Sequence, residues 1–187
     1  IIDIGASHGI FSIYFANTFR NAQIYAFEPI KKTFETLRQK TKDYSNIKLY
    51  NIGLGRKEKE EYVNITNSPG SSSILQIEPK IKNAFFSNHL ETTKNEKIKT
   101  TILDNIIPDN KKINIIKIDV QGYELEVLKG SVQTLKRTSI VVIEMQNHEL
   151  YPNAPKYYEI DHFLRKNQFC LYDIIPSIRE YKRLFEW

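Results

Sequence analysis

The run Asp3-Ile4-Gly5-Ala6-Ser7-His8-Gly9 lies between an apolar stretch and an apolar helical pattern. In a doubly wound sheet this is where a strand hands over to a helix and a ligand binds. Gly5 permits a sharp turn and close approach to the backbone. The helix start behind it offers unpaired N–H groups with positive dipole character, which suit a carboxylate as well as a phosphate. A dinucleotide loop wants Gly-x-Gly-x-x-Gly, whereas here Ser7 replaces the second glycine. Asp3 precedes the loop, where it can accept hydrogen bonds from a cationic amino group, and Gly5 and Gly9 frame it. That combination suits a methionine-bearing cofactor better than a nicotinamide one. An ordinary tight turn is the alternative for these residues taken alone. Glu28 ends a second apolar run, roughly 20 residues downstream of Gly5, where an acidic group takes both ribose hydroxyls. Asn51 and Ile52 close a third run, placed to meet the edge and the face of an adenine; a plain turn explains them equally well.

A second group of reactive side chains lies in Lys117-Ile118-Asp119-Val120-Gln121-Gly122-Tyr123-Glu124. Polar groups at the carboxyl end of a central parallel strand point into the ligand crevice. Alternation puts Lys117 and Asp119 on one side of the strand, and an ion pair there keeps Asp119 ionised. Glu124 opens the next helix, where it also favours the helix dipole. Glu144 ends the following strand and reaches the same crevice. His148 lies on the loop beyond it, with an ordinary pKa near ~6.5 that suits a general base, although most lone loop histidines are inert. Asp119 and Glu144 could hold a divalent cation through oxygens, but no third dedicated ligand is evident. His8, His89 and His162 lack paired spacing for zinc, so no metal is expected.

The elements that must position these groups alternate between short β-rich runs and helical patterns, the signature of βαβ units and a parallel sheet. Strands are expected to end at Ile4 and to span 24–27, 47–52, 113–120 and 140–144. The run 113–120 is nearly continuous in β-branched residues, as a strand buried on both faces is. Helices are expected over 10–19, deeply buried, over 31–43, and over 157–166. One more follows 113–120, with Val127, Leu128, Val132 and Leu135 inward and Gly130 weakening or breaking it. The alternation stalls between 60 and 97: residues 60–66 read as an edge strand, 67–73 as turn chemistry, and the remainder has no clean period. Residues 98–102 read as extended and 103–107 as a short helix. Residues 169–175 read as a further strand with Cys170 buried in it, and 181–187 as a final strand. The segment 68–90 would lie over one end of the sheet and select the acceptor.

The chain has 187 residues, 41% hydrophobic and 26% charged, enough for one domain with a sizeable core. A net charge of +5 is mildly basic, but the basic residues are scattered, so a solvated surface is expected rather than a nucleic-acid footprint. The single cysteine excludes an internal disulfide. With no disulfide possible, a reducing, cytoplasmic compartment is the expected default, and no apolar run reaches the ~18 residues of a membrane span. The chain opens in mid-strand, and residues 1–187 are read as a single domain cut from a longer chain.

Four blocks occur in order: Asp3 to Gly9 as quoted; Ala26-Phe27-Glu28-Pro29; Thr101-Ile102-Leu103-Asp104; and Ile116 to Glu124 followed by Val127-Leu128-Lys129-Gly130. Together they resemble the FkbM family of methyltransferases over nearly the whole chain. The resemblance implies a class I methyltransferase fold, a Rossmann-like α/β architecture whose mostly parallel twisted sheet carries helices on both faces. It implies S-adenosylmethionine as donor and O-methylation of a hydroxyl on a sugar, a glycan or a small-molecule natural product. Gly5, Ser7 and Glu28 carry over as cofactor residues and Asp119 as a crevice residue, Ser7 standing where the family commonly has Asn. The full expected cofactor set is Asp3, Gly5, Ser7, Gly9, Glu28, Asn51, Ile52 and Asp119, and the expected catalytic set Lys117, Asp119, Glu144 and His148. The alternative is a non-catalytic domain of the same fold that binds the cofactor, or only a partner.

Overall fold

A computed structural model describes residues 1–66, 72–75, 92–145, 151 and 153–175. The strands are β1 (Ile2–Ile4), β2 (Ile24–Phe27), β3 (Ile47–Tyr50), β4 (Gly53–Leu54), β5 (Lys59–Thr66), β6 (Thr92–Thr101), β7 (Ile113–Ile118) and β8 (Thr138–Ile143). The helices are α1 (Ile10–Thr18), α2 (Lys31–Lys40), α3 (Glu124–Lys129), α4 (Val132–Leu135) and α5 (Tyr157–Lys166), with a 3-10 turn at Leu103–Asn105. Five strands form one parallel sheet in the order β3-β2-β1-β7-β8. The order reverses at β1, whose neighbours are β2 and β7, so the crevice opens at the carboxyl ends of those strands.

Period-two alternation divides the sheet residues between two faces. Ile2, Ile4, Phe27, Ile116 and Ile118 pack with Val127, Leu128, Leu135 and Ile160 on one side. On the other side Ile1 and Ile24 meet Phe15 and Ala16 of α1, and Ala26 meets Ala6 and Leu37. Because Asp3 and Lys117 occupy the alternate positions, they fall on the α1 side, beneath the turn that carries the loop.

A smaller sheet, β4-β6-β5, stands beside the crevice. β5 and β6 pair antiparallel, with a register shift between Ile65 and Thr66, and β4 runs parallel to β6. Val63 and Ile98 pack on Ile30, and the Lys31 N–H donates to Glu96 at 2.9 Å, which fixes this sheet against the start of α2.

Several expectations are corrected. The third strand stops at Tyr50, because Gly53 and Leu54 leave for the smaller sheet. The extended run near 98–102 is the end of the ten-residue β6. α1 is not deeply buried: Ser12, Phe15 and Ala16 face the sheet, while Ile10 is 74% exposed and Phe11 and Tyr14 are also exposed. Its apolar residues surround the helix, and the sheet can cover only one side. Residues 169–175 form no strand, and Cys170 is exposed; they follow α5 without pairing to β8. The expected helix break is present, with α3 ending at Lys129 and α4 beginning at Val132. A Cβ on Gly130 would lie 2.0 Å from the Gly55 carbonyl oxygen, so backbone packing demands glycine there. Among the described residues no helix is long and apolar enough to cross a membrane. The expected strand at 181–187 lies outside the described residues.

Candidate functional site

The loop after β1 turns through three residues of positive φ: Gly5 at 74°, Ser7 at 48° and Gly9 at 86°. The N–H groups of Gly5 and Ala6 both donate to the Phe27 carbonyl, at 3.1 and 2.9 Å, which ties the loop to β2. A Cβ on Gly5 would sit 1.8 Å from the Asp119 carbonyl oxygen, and one on Gly9 would sit 2.7 Å from Leu37 Cδ1. Glycine at position 5 therefore brings the loop against the end of β7, and glycine at position 9 lets α1 close on α2.

The same loop organises Glu28. The Ser7 N–H donates to Glu28 Oε2 at 3.0 Å and the Ile30 N–H donates to Oε1 at 2.9 Å. The residue is 5% exposed, and burial pushes its carboxyl up to about 7 against the pull of those two N–H groups. Each oxygen spends one lone pair on the backbone and keeps another for a ligand. Glu28 lines a crevice with Gly5, Ser7, Ile52, Ser73, Asp119 and Gln121. Asn51 does not line it; its amide donates to the carbonyls of Glu28 and Pro29 at 2.9 and 3.0 Å, pinning the end of β2 to that of β3.

Lys117 is almost fully buried. Its ammonium donates to the Gly5 carbonyl at 3.1 Å, lies 3.4 Å from Asp3 Oδ1 and 3.3 Å from Asp119 Oδ2, and sits 5.1 Å from the centre of the Phe11 ring. Asp3 is fully buried; its Oδ2 accepts from the Ser12 hydroxyl at 2.6 Å, and its Oδ1 has no hydrogen bond among the described residues. A buried ammonium is tolerable only with such company. Asp3 and Lys117 thus form a charged underlayer that reaches the loop through the Gly5 carbonyl and the crevice through Asp119.

Asp119 and Glu144 come together as the sequence places them, and Gln121 joins them. Its amide Nε2 donates to Asp119 Oδ1 at 2.9 Å and to Glu144 Oε2 at 2.6 Å. Burial first, then the Asp119 charge, pushes the Glu144 carboxyl up to about 8. The Tyr151 hydroxyl donates to Gln121 Oε1 at 3.3 Å and is itself buried. Gln121 and Gly122 both have positive φ, 56° and 97°, and the N–H groups of Val120 and Gly122 donate to Glu124 Oε1 at 3.2 and 3.0 Å. Glu124 is thus the latch of a tight turn. The Ser73 hydroxyl donates to the Gln121 carbonyl at 2.5 Å, and the Asn64 amide donates to the carbonyls of Ser73, Ile74 and Leu75. The smaller sheet thereby carries one wall of the crevice.

Sequence reasoning missed Gln121, Tyr151, Ser73 and Asn64. The Gln121-Gly122 pair was a usable signal, since a glycine directly after a polar strand end marks a turn that aims its neighbours; nothing marked the other three. His148 and most of the segment 68–90 lie outside the described residues. Among the described residues no group of three or more His, Cys, Asp or Glu side chains is placed to hold a metal.

A model of the "Methyltransferase FkbM domain" matches residues 3–172. Methyltransferase 1 of Beauveria bassiana is 26% identical over 142 residues, covering 70% of this chain and 57% of that protein. The hexuronic acid methyltransferase AglP of Haloferax volcanii is 28% identical over 127 residues, covering 66% of this chain and 47% of that protein. The 2-O-methyltransferase NoeI of Sinorhizobium fredii is 24% identical over 159 residues, covering 81% and 65%. The chain thus spans little more than half the length of several curated relatives that it matches. The crystal structure of the methyltransferase FkbM from Methylobacillus flagellatus superposes with a TM-score of 0.56 at 17% identity, covering 88% of this chain and 36% of that one, which shows a shared fold.

Proposed function

The chain belongs to the FkbM methyltransferase domain family, and from that premise we propose that it moves the methyl group of S-adenosylmethionine to a hydroxyl oxygen of a sugar, a glycan or a small natural product. One observation carries the cofactor half of this reading. The buried Glu28 carboxylate faces the crevice with a lone pair free on each oxygen, beside a glycine loop that its own hydrogen bonds hold in place. That donor set fits a nucleoside, whose two ribose hydroxyls match two acceptor oxygens.

Ile52 offers an apolar surface to the adenine, and Asn51 acts at one remove by fixing the strand ends. The N–H groups of Gly5, Ala6 and Ser7 are spent on Phe27 and Glu28, so the first N–H groups of α1, which lack intrahelical partners, would meet the cofactor's carboxylate. Asp3 is enclosed by Ser12 and Lys117 and acts through Lys117. When bound, the cofactor supplies an activated methyl group on a sulfonium. The chain's own residues align the acceptor oxygen behind that methyl and take its proton. Asp119, which lines the crevice with its Oδ2 3.3 Å from the Lys117 ammonium, is the base. With the methyl group supplied by the bound cofactor, Asp119 would take the proton that the acceptor hydroxyl gives up. The names of two relatives, a hexuronic acid methyltransferase and a 2-O-methyltransferase, support a sugar hydroxyl as acceptor.

The reading is tested by calorimetric titration with S-adenosylhomocysteine and with NAD, using the chain in the longest form that folds. Micromolar binding of the first and none of the second is expected. A folded protein that binds neither would leave the glycine loop a structural turn and favour an interaction domain.

A further inference from the structure

Gln121 stands in the crevice with its side chain hydrogen-bonded at both ends. Its Nε2 spans Asp119 and Glu144 at 2.9 and 2.6 Å, and its Oε1 accepts from the Tyr151 hydroxyl at 3.3 Å. A tyrosine O–H donating to Oε1 orients the amide, so the N–H₂ end must face the carboxyls. The backbone is held just as firmly, with a left-handed φ of 56° and the Ser73 hydroxyl on its carbonyl. A residue other than glycine is strained in that region, so this turn holds strain in order to aim one side chain.

We propose that Gln121 is a positioning residue, a clasp that keeps Asp119 and Glu144 side by side so that the two carboxyl groups carry one proton between them. The proposal rests on the methyltransferase reading for its catalytic meaning, and on the geometry alone for the pair itself. Two carboxylates this close cannot both ionise freely. Every charged or titratable group facing them bears on how the proton divides. Lys117 of β7 stands against Asp119, with Asp3 of β1 behind it. Glu124 of α3 and Tyr151, from the segment before α5, stand on the Glu144 side. The Lys117 ammonium lies 3.3 Å from Asp119, whereas burial among acids favours the protonated form at Glu144. Glu144 is therefore the holder of the proton, beside the Asp119 carboxyl that faces the ammonium. Gln121 supplies N–H to both and can take a proton from neither.

The clasp is tested without any acceptor, by following the Glu144 carboxyl through a pH titration with carbon-13-labelled glutamate. In the wild-type background, Asp119→Asn is expected to lower the Glu144 midpoint by about one pH unit or more, because a neighbouring like charge is removed. In a Gln121→Leu background the two carboxyls drift apart, and the same substitution is expected to move the midpoint by less than half as much. Gln121→Asn keeps an amide and tolerates the left-handed backbone, yet it is too short to reach both carboxyls; it is expected to behave like Gln121→Leu and covers the case in which the leucine variant fails to fold. Tyr151→Phe is expected to weaken the coupling in part. An undiminished Asp119→Asn shift in both Gln121 backgrounds would overturn the clasp, as would no shift in the wild type. Calorimetry of the same samples with S-adenosylhomocysteine separates the two claims. Coupled titration without binding upholds the pair and refutes the methyltransferase setting.

Discussion

Glu28 makes the sharpest demand on experiment, because its proposed contact requires an ionised group that the free protein holds near the middle of the pH range. With the carboxyl at about 7, only about a tenth of it is ionised at pH 6 and about nine-tenths at pH 8. Ribose hydroxyls donate to the ionised form, so nucleoside affinity should rise about tenfold across that interval. The clean ligand is 5′-methylthioadenosine, which keeps the adenine, ribose and thioether and lacks the titrating amino acid. Glu28→Gln should abolish the pH dependence. It should also weaken binding roughly 100-fold at pH 8, since two charge-assisted hydrogen bonds together contribute about 3 kcal/mol. The free protein should show the linked effect on stability. Glu28 has a folded pKa raised above its unfolded value of 4.5, so the folded state binds more protons between 4.5 and about 7. Stability then falls as pH rises through that window, by on the order of 3 kcal/mol at this nearly buried site. A denaturant melt at pH 5 and pH 8 reads it, and Glu28→Gln should lose that share. Equal affinity for the nucleoside at pH 6 and pH 8, or the same slope in Glu28→Gln, would refute the ribose assignment.

Other substitutions probe the scaffold. Gly5→Ala combines a φ of 74° with a Cβ at 1.8 Å from the Asp119 carbonyl and should destabilise by more than ~3 kcal/mol, read in a urea melt. Gly130→Ala meets the Gly55 carbonyl at 2.0 Å and should also destabilise, even though alanine is the better helix former. Lys117→Met leaves Asp3 buried without its counter-ion and should cost about 3–5 kcal/mol; adding Asp3→Asn should recover part of the loss. Cys170 is exposed, so a thiol reagent should label it in the native protein as fast as in denaturant.

The parallel sheet was legible in the sequence because fully buried strands announce themselves. Ile113 to Ile118 and Ile24 to Phe27 are runs that only a two-sided core explains, and Gly5, Glu28 and Asp119 follow such runs at their carboxyl ends. What periodicity cannot show is which side of an all-apolar helix meets the sheet. α1 therefore looked buried all round, although it leaves Ile10, Phe11 and Tyr14 outward. Nor can it show that a polar stretch such as Thr92–Thr101 is a strand, because that strand is held by antiparallel pairing to Lys59–Thr66 rather than by apolar burial. Residues 169–175 erred the other way, carrying apolar side chains without a partner strand. Within the site, charged groups at strand ends were readable, whereas Gln121 and Tyr151 became visible only once the turn at Gln121-Gly122 had been placed against Glu144.

The central claim, a methyltransferase crevice built around Glu28, is tested most directly by calorimetry of S-adenosylhomocysteine against the wild-type protein and Glu28→Ala at pH 8. Micromolar binding by the wild type, lost by at least about 100-fold in a folded Glu28→Ala variant, is the predicted result. Equal affinity in both proteins, or no binding by a folded wild type, would contradict it.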